Sequence, residues 1–202
     1  QQHLDIMIAA LDAYAASMSR GEHEAMQCAL PFAINTGARK AELPRYRRSN
    51  VTWRDANMRV LRPDKAGLAR AAWAQIAPVC SKTDPSNAHW GNTSMWFRVD
   101  RSSSWSLAAR LLAFEQAHPC DPEDRHSVPL FYDSDADTPQ PFTLDKLVSL
   151  MVAMLATAMP AELAKKHRWH SCRRTLACKL RKRRKSWDRI QTLLRWKSPD
   201  SV

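Results

Sequence analysis

The sequence predicts a mainly α-helical protein with one small antiparallel β-sheet, an α+β fold, on three observations. Apolar residues recur at helical spacing over residues 3–46, and they do so again from about residue 104 onward. Residues 50–100 instead hold short β-branched and aromatic runs separated by turn-forming residues. The chain has 202 residues, of which 45% are hydrophobic, which suits a single domain with a substantial core.

Three helices are predicted before the sheet, over residues 3–19, 22–35 and 39–46. Leucine, methionine and alanine fall on one face of each of the first two. Gly21 separates these two helices, since glycine commonly ends a helix. Pro31 lies inside the second helix, where a proline can bend it.

The predicted strands are residues 51–53, 58–61, 74–80 and 94–99. Turn-forming residues lie between them, including the Lys82-Thr83-Asp84-Pro85 segment after the third strand. This arrangement predicts a small antiparallel sheet connected by hairpins.

Helices return after the sheet, at about residues 104–117, 143–158, 171–185 and 186–196. Thr143 is the predicted N-cap of the second of these, and Pro160 begins a further short segment. Residues 118–141 form a loop rich in proline and aspartate. Its apolar segment at residues 128–132 is expected to pack on the core.

The net charge of +11 is concentrated near the C-terminus. Residues 162–197 hold 14 Lys and Arg against two acidic residues, whereas the rest of the chain holds 17 basic and 18 acidic residues. A concentrated basic stretch indicates a polyanionic partner, because cation–phosphate contacts release condensed counterions. A solvated charged face or a targeting tail is the alternative interpretation.

Composition excludes several other classes of protein. Only four glycines occur, with neither a GxGxxG nor a P-loop motif, so a Gly-rich phosphate loop is not expected. The five cysteines are odd in number and lack a CxxC pair, which favours a reducing compartment over a disulfide framework. No signal peptide and no apolar run long enough to span a bilayer are present, so no membrane association is expected.

Two motifs in the first half of the chain could carry chemistry. In Asn35-Thr36-Gly37-Ala38-Arg39-Lys40-Ala41-Glu42-Leu43, a glycine turn puts Arg39 at a helix start, with Glu42 one turn later on the same face. A capped helix with a surface ion pair is the simpler interpretation. Lys82 follows the strand that ends at Cys80, where a lysine is commonly just part of a soluble turn.

Two more motifs lie in the basic stretch. His170 and Arg173 are three residues apart and therefore neighbours on a helix. A neutral His accepts a proton and Arg forks onto phosphate oxygens, although an incidental His on a basic helix fits equally well. The segment Ile190–Pro199 then ends its helix at Trp196, which would also suit a core tryptophan.

Together these four motifs resemble the catalytic boxes of the tyrosine recombinase, or phage integrase, family. That pattern has a TG-x-R-x-x-E-L box, a β-hairpin lysine, an H-x-x-R box, a leucine-rich segment ending in His or Trp, and a downstream tyrosine. Arg39, Lys82, His170, Arg173 and Trp196 match it in order, over nearly the whole chain. Leu194-Arg195-Trp196 departs from the commoner Leu-Gly-His. The resemblance implies the DNA breaking-and-rejoining catalytic-domain fold.

The resemblance also implies a reaction and a role for each matched residue. A tyrosine attacks a DNA phosphodiester and forms a 3′-phosphotyrosyl bond. Arg39 and Arg173 would neutralise charge on the phosphate oxygens, with Trp196 donating its indole N–H. Lys82 would be the general acid and His170 would take the tyrosine proton or bond to phosphate. Glu42 would orient Arg39.

Double-stranded DNA is the implied partner, and an intracellular, DNA-associated location is expected, in nucleus or nucleoid. Further basic residues are expected to contact backbone phosphates, although a solvated helix end would look the same. These are Lys40, Arg174, Lys179, Arg181, Lys182, Arg183, Arg184 and Lys185. A homotetramer on DNA is implied for the full-length protein. No cofactor or metal is expected, because arginines neutralise the charge and His167, His170 and Cys172 lack ordinary zinc-ligand spacing.

The nucleophilic tyrosine is expected about nine residues after Trp196, beyond Val202, and no upstream tyrosine suits that role. The chain therefore resembles one truncated catalytic domain, residues 1–202, without the family's N-terminal core-binding domain. A fragment of this kind is not expected to cleave DNA. The open alternatives are a catalytically inactive DNA-binding relic, a type IB topoisomerase-like domain and an unrelated RNA-binding helical protein.

Overall fold

A computed structural model describes residues 2–80, 93–103 and 106–194 of the chain. The first part of the chain, up to Ile76, contains helices α1, α2 and α3, strands β1 and β2, and three short 3₁₀ turns. In chain order these are α1 Gln2–Tyr14, 3₁₀ Ala15–Ser17, α2 Arg20–Thr36, 3₁₀ Lys40–Arg45, 3₁₀ Arg48–Asn50, β1 Val51–Arg54, α3 Lys65–Ala69 and β2 Trp73–Ile76. The second half contains β3 Met95–Arg98, α4 Leu107–Ala117, 3₁₀ Asp124–His126, α5 Leu144–Ala156, α6 Ala161–Ala164, α7 Trp169–Lys182 and α8 Trp187–Leu194.

Helix α2 is the buried centre of the fold, and its sequence explains both of its ends. Ser19 caps it, because the Ser19 side chain accepts from the Glu22 backbone N–H at 3.0 Å while the Glu22 carboxylate accepts from the Ser19 backbone N–H. Gly37 ends it with a φ of 65°, a left-handed conformation that glycine adopts without strain. The predicted helix over residues 22–35 is therefore confirmed and slightly longer.

Pro31 does not interrupt α2. A proline has no N–H to donate to the carbonyl four residues earlier, so the Gln27 carbonyl is left without its helical donor. The Arg110 guanidinium of α4 donates to that carbonyl at 3.4 Å. The α2–α4 packing therefore satisfies the group that the proline would otherwise leave unpaired.

The three strands form an antiparallel sheet in the order β1-β2-β3, with Thr52 opposite Gln75 and Gln75 opposite Trp96. The predicted strand at residues 58–61 is wrong. Those residues make a single bridge to β1, between Arg54 and Val60, and follow a tight turn. The turn forms because the Asp55 carboxylate accepts from the backbone N–H groups of Asn57 and Arg59, each at 2.9 Å.

Two further elements differ from the sequence prediction. Helix α3 was not predicted; it forms because the Asp64 carboxylate caps it by accepting from the Gly67 N–H at 2.7 Å. Helix α7 begins at Trp169, two residues earlier than predicted. The Trp169 indole is buried and donates to the Leu147 carbonyl at 2.7 Å, which fixes the start of α7 against α5.

One large hydrophobic core joins the helices to the inner face of the sheet. It includes the predicted apolar loop segment, since Leu130, Phe131 and Tyr132 are all buried. A second, smaller cluster lies between α7 and α8 and consists of Leu176, Ala177, Ile190 and Leu194. Helix α8 therefore attaches through its own cluster.

A buried charged network anchors the sheet to the helices. The Glu115 carboxylate pairs with Arg125 and accepts from the Trp53 indole N–H at 2.6 Å. Arg125 also donates to the carbonyls of Arg48 and Val51, at 2.8 and 3.0 Å. Burial lowers the pKa of Arg125 to about 10, with a smaller contribution from the neighbouring Arg48 charge. At that value the guanidinium stays charged at neutral pH.

None of the helices within residues 2–80, 93–103 and 106–194 combines the length and apolar character needed to cross a membrane.

We predict that Glu115→Ala lowers the free energy of unfolding by about 3–5 kcal/mol, because it leaves the Arg125 charge buried without its carboxylate. Urea unfolding followed by tryptophan fluorescence measures this change. The matched control is Glu162→Ala, which removes the exposed Lys165–Glu162 pair. That change should stay within about 0.5 kcal/mol. Equal effects of the two substitutions would contradict the proposed anchoring.

Candidate functional site

The candidate site begins at the corner that follows α2. A Cβ atom on Gly37 would lie 2.5 Å from Leu194 Cδ2 and 3.3 Å from Leu176 Cδ2. The left-handed turn favours glycine, and the Leu194 and Leu176 side chains of α8 and α7 pack closely against it. The Thr36 hydroxyl fixes the corner further, since it donates to the Phe32 carbonyl and accepts from the Ala38 N–H.

Arg39 leaves this corner and is held by Glu42. The Glu42 carboxylate accepts from the Arg39 backbone N–H at 2.9 Å and from the Arg39 guanidinium at 3.1 Å. The Glu42 side chain is only 2% exposed, whereas that of Arg39 is 28% exposed. A buried carboxylate thus orients a partly exposed guanidinium. The predicted short helix is a 3₁₀ turn that begins after Arg39.

Arg173 lies in the interior of the site and connects three segments. It is 2% exposed, and its guanidinium donates to the carbonyls of Gly37 and Leu194. Gly37 belongs to the first predicted motif and Leu194 to the fourth, while Arg173 itself is in the third. One side chain thus connects three of the four motifs that the sequence singled out.

His170 lies one turn before Arg173 and is exposed. Partial burial of the imidazole lowers its pKa below the ordinary value of 6.5, and the charges of Arg173, Arg174 and Arg39 lower it further. Arg39 is far away in sequence, so its effect on the pKa of His170 reflects proximity in the fold. A neutral imidazole beside three guanidinium groups can accept a proton at neutral pH.

The structure therefore brings Arg39, Glu42, His170 and Arg173 near one another around Gly37. The other two predicted site residues, Lys82 and Trp196, lie outside the described residues.

Sequence reasoning missed one residue that ties the Lys40–Arg45 turn to the chain after β2. The Arg45 guanidinium donates to the Cys80 carbonyl at 2.8 Å and contacts Cys80 Sγ at 2.6 Å. Cys80 is two residues before Lys82. No local pattern could have indicated this pair, because its members are 35 residues apart.

The predicted phosphate-contacting residues are mostly accessible. Arg174 and the run from Arg181 to Lys185 are exposed, whereas Lys40 and Lys179 are half-buried. Burial lowers the pKa of Lys179, and the Arg183 charge lowers it further. Because α7 ends at Lys182, the run spans the end of a helix and the turn after it, where Arg184 has a φ of 55°.

Within the described part of the chain, no group of three or more His, Cys, Asp or Glu side chains is arranged to hold a metal ion. Burial raises the pKa of the Cys172 thiol to about 12, so the thiolate that zinc binds is disfavoured there. All five cysteines are free.

Two of the three tyrosines are inaccessible. Tyr46 is fully buried, and Tyr132 is 7% exposed and accepts a hydrogen bond from the Arg48 guanidinium at 2.8 Å.

No family model and no curated protein matches this sequence. Among solved structures, the chain is similar to the XerH site-specific recombinase bound to its difH substrate in a pre-cleavage complex. The TM-score is 0.61 at 14% identity, covering 100% of this chain and 48% of that one. A post-cleavage complex of XerH with palindromic difH gives a TM-score of 0.59 at 15% identity, covering 100% of this chain and 46% of that one.

The chain spans about half the length of these recombinase chains. At such low identity the similarity establishes the fold. It confirms the predicted class, a mainly α domain with a small antiparallel sheet in the tyrosine-recombinase catalytic-domain arrangement.

We predict that Arg174→Gln raises the pKa of His170 toward 6.5, because it removes one of the nearby positive charges that disfavour the imidazolium. An NMR titration of the His170 ring protons measures the midpoint. Lys166→Gln is the charge-matched control, at an exposed position whose charge is not among the main causes of the His170 pKa shift, and should change the midpoint less. The same midpoint in wild type and Arg174→Gln would contradict this electrostatic coupling.

Proposed function

We propose that this chain is the catalytic region of a tyrosine-type, site-specific DNA recombinase. In this proposal the intact protein cleaves and rejoins DNA strands through a 3′-phosphotyrosyl intermediate. The main support for this proposal is that Arg39, His170 and Arg173, which come from distant motifs, lie near one another beside Gly37. The shared fold with a recombinase bound to DNA supports the same conclusion.

The proposed reaction is a transesterification at phosphorus. A tyrosine hydroxyl from beyond Val202 would form a new P–O bond while the bond from phosphorus to the 5′-oxygen breaks. His170, neutral at pH 7, would accept the tyrosine proton, and Lys82 would donate a proton to the leaving 5′-oxygen. Because the phosphotyrosyl ester retains the bond energy, the reverse attack by a 5′-hydroxyl reseals the strand without ATP.

Charge develops on the non-bridging phosphate oxygens as the tyrosine attacks. Arg39 suits their neutralisation, since Glu42 orients it while its side chain stays partly exposed. Arg173 would join Arg39 at the phosphate, with Trp196 donating its indole N–H. The Arg173 guanidinium donates to the carbonyls of Gly37 and Leu194, and these hydrogen bonds would hold its positive charge in place beside the phosphate.

Duplex DNA is the proposed partner of the exposed basic residues at the end of α7. Their contacts would position the duplex without distinguishing its sequence. We also propose a DNA-associated location in the cell and a homotetramer of the full-length protein on two duplexes.

We predict that Arg39→Gln lowers covalent complex formation by about 100-fold or more, the usual effect of removing one donor at a developing oxyanion. The experiment uses the full-length encoded protein and a nicked suicide DNA substrate. Covalent protein–DNA adducts are then quantified on a denaturing gel. Arg20→Gln, which removes an exposed Arg20–Glu24 pair, is the control and should leave the rate unchanged.

Three outcomes separate the alternatives when strand exchange, relaxation of a supercoiled plasmid and DNA binding are measured alongside adduct formation. Adducts through a 3′-phosphate with strand exchange support a recombinase, whereas relaxation of supercoils without exchange supports a topoisomerase-like enzyme. Specific DNA binding without any adduct supports an inactive relic. Full adduct formation by Arg39→Gln would overturn the proposed site.

We predict that duplex binding by this chain weakens steeply with salt and that Arg183→Gln with Lys185→Gln flattens the dependence. Each lost phosphate contact should reduce the slope of log K against log salt by about 0.9. Fluorescence anisotropy of a labelled duplex over a salt series measures the slope. Arg20→Gln is again the matched control. A slope that is equal in wild type and in the double variant would rule out this run as a duplex contact.

A further inference from the structure

The outer face of the sheet presents arginines and tryptophans together, and none of them is a proposed cleavage residue. Strand pairing places six residues on this face: Thr52, Arg54, Trp73, Gln75, Trp96 and Arg98. The residues that alternate with them along the strands, such as Trp53, Ala74 and Ile76, face inward and are buried in the core. The outer face therefore consists of side chains that the core does not use.

Hydrogen bonds organise part of this face before any ligand binds. The Arg54 guanidinium donates to the Gln75 side chain at 2.8 Å and to the Met58 carbonyl at 2.6 Å. The Gln75 amide in turn donates to the Ser94 hydroxyl at 3.0 Å. Arg54 also lies over the Trp96 ring, with its guanidinium carbon 5.2 Å from the ring centroid. The arginine and the tryptophan are thus fixed relative to each other.

The side chains of Trp96 and Trp73 are suited to stacking against the aromatic rings of a ligand. Trp96 is 42% exposed although it is a large apolar side chain. Trp73 lies opposite Arg98, and Trp96 lies opposite Gln75, so the two tryptophans are diagonal neighbours on one face. Such neighbours are about 7–8 Å apart, which is close enough for each to receive one of two neighbouring bases.

The charge of the face selects the kind of partner. Two of its six residues are arginines and none is acidic. The acidic residues that flank the strands are occupied locally: Asp55 accepts from two backbone N–H groups of its turn, and Asp100 accepts from the backbone and hydroxyl of Ser102. An anionic partner with exposed flat rings therefore fits this face.

We infer that the outer sheet face is a binding platform for single-stranded nucleic acid. Bases would stack on Trp96 and Trp73, and backbone phosphates would contact Arg98 and Arg54. A duplex fits less well, because its bases are already stacked inside the helix, whereas every base of a single strand offers a free ring face. This inference does not depend on the proposed cleavage chemistry, since it uses none of the same residues.

The test measures binding of a short fluorescent oligothymidylate, and of the matching oligouridylate, to this chain by anisotropy. Trp96→Leu should weaken binding about tenfold, the order expected for loss of one stacked base. Arg98→Gln, at an exposed position, should reduce the slope of log K against log salt by about 0.7, the single-strand value for one phosphate. Equal effects on both oligonucleotides would assign the platform to either nucleic acid, and a larger effect on one would identify the preferred strand.

Leu144→Ala is the control, because Leu144 is a similarly exposed apolar residue at 40% exposure, lies on α5 and belongs to neither proposed binding surface. It should leave binding unchanged. Photo-crosslinking with 5-iododeoxyuridine provides a second readout, and adducts at Trp96 or Trp73 are expected. Adducts confined to residues 162–197, or equal binding by wild type and Trp96→Leu, would overturn the inference. Duplex binding, measured in parallel, reports separately on the proposed function.

Discussion

The arrangement of this site depends on the hydrogen bonds that the buried Arg173 guanidinium donates. It donates to the carbonyls of Gly37 and Leu194, and so connects the end of α2, the middle of α7 and the end of α8. A buried charge costs free energy unless it is hydrogen-bonded, so the packed site is stabilised when both carbonyls accept from Arg173. Gly37 suits this position, because its left-handed backbone turns the chain there and the Leu194 side chain packs closely against it. Gly37 thus allows the segments to pack closely, and Arg173 holds them together through the Gly37 carbonyl.

Glu42 has a comparable role on the other side of the corner. Its buried carboxylate binds both the backbone and the guanidinium of Arg39, so the direction of that side chain is set before any ligand arrives. Preorganised cations are effective at a phosphate because they need little rearrangement as charge develops. The site therefore combines a buried arginine that holds elements together with a partly exposed one that solvent reaches.

The sequence predicted the helices well because their buried faces repeat at helical spacing, as in α2 and α5. Residues 58–61 do not form the expected strand, because the Asp55 carboxylate accepts hydrogen bonds from backbone N–H groups of its own turn. Such local hydrogen bonds compete with strand pairing. Helix α3 was missed because it has only five residues, too few for a periodic pattern. The early start of α7 depends on Trp169 reaching Leu147 on another helix, and no local signal carries that information.

The candidate site was predictable where its residues lie in short motifs, as with Arg39 and Glu42 or His170 and Arg173. The burial of Arg173 was not predictable, because spacing places it on a helix without saying which face packs. The contacts between Arg45 and Cys80, and between Glu115 and Arg125, were equally invisible, since they join distant segments of the chain. Tertiary packing brings the two members of each pair together, whereas in the sequence they are only separate polar residues.

The small cluster beneath α8 determines which part of the molecule opens most readily. Because Leu176, Ala177, Ile190 and Leu194 are separate from the main core, α8 can detach while α2, α4 and α5 stay packed. Elements with few buried contacts undergo such local opening well below the free energy of global unfolding. Each opening would remove the Leu194 carbonyl from Arg173 and leave one arm of the guanidinium in solvent. Access to the most buried cation of the site is in this way coupled to the docking of a single two-turn helix.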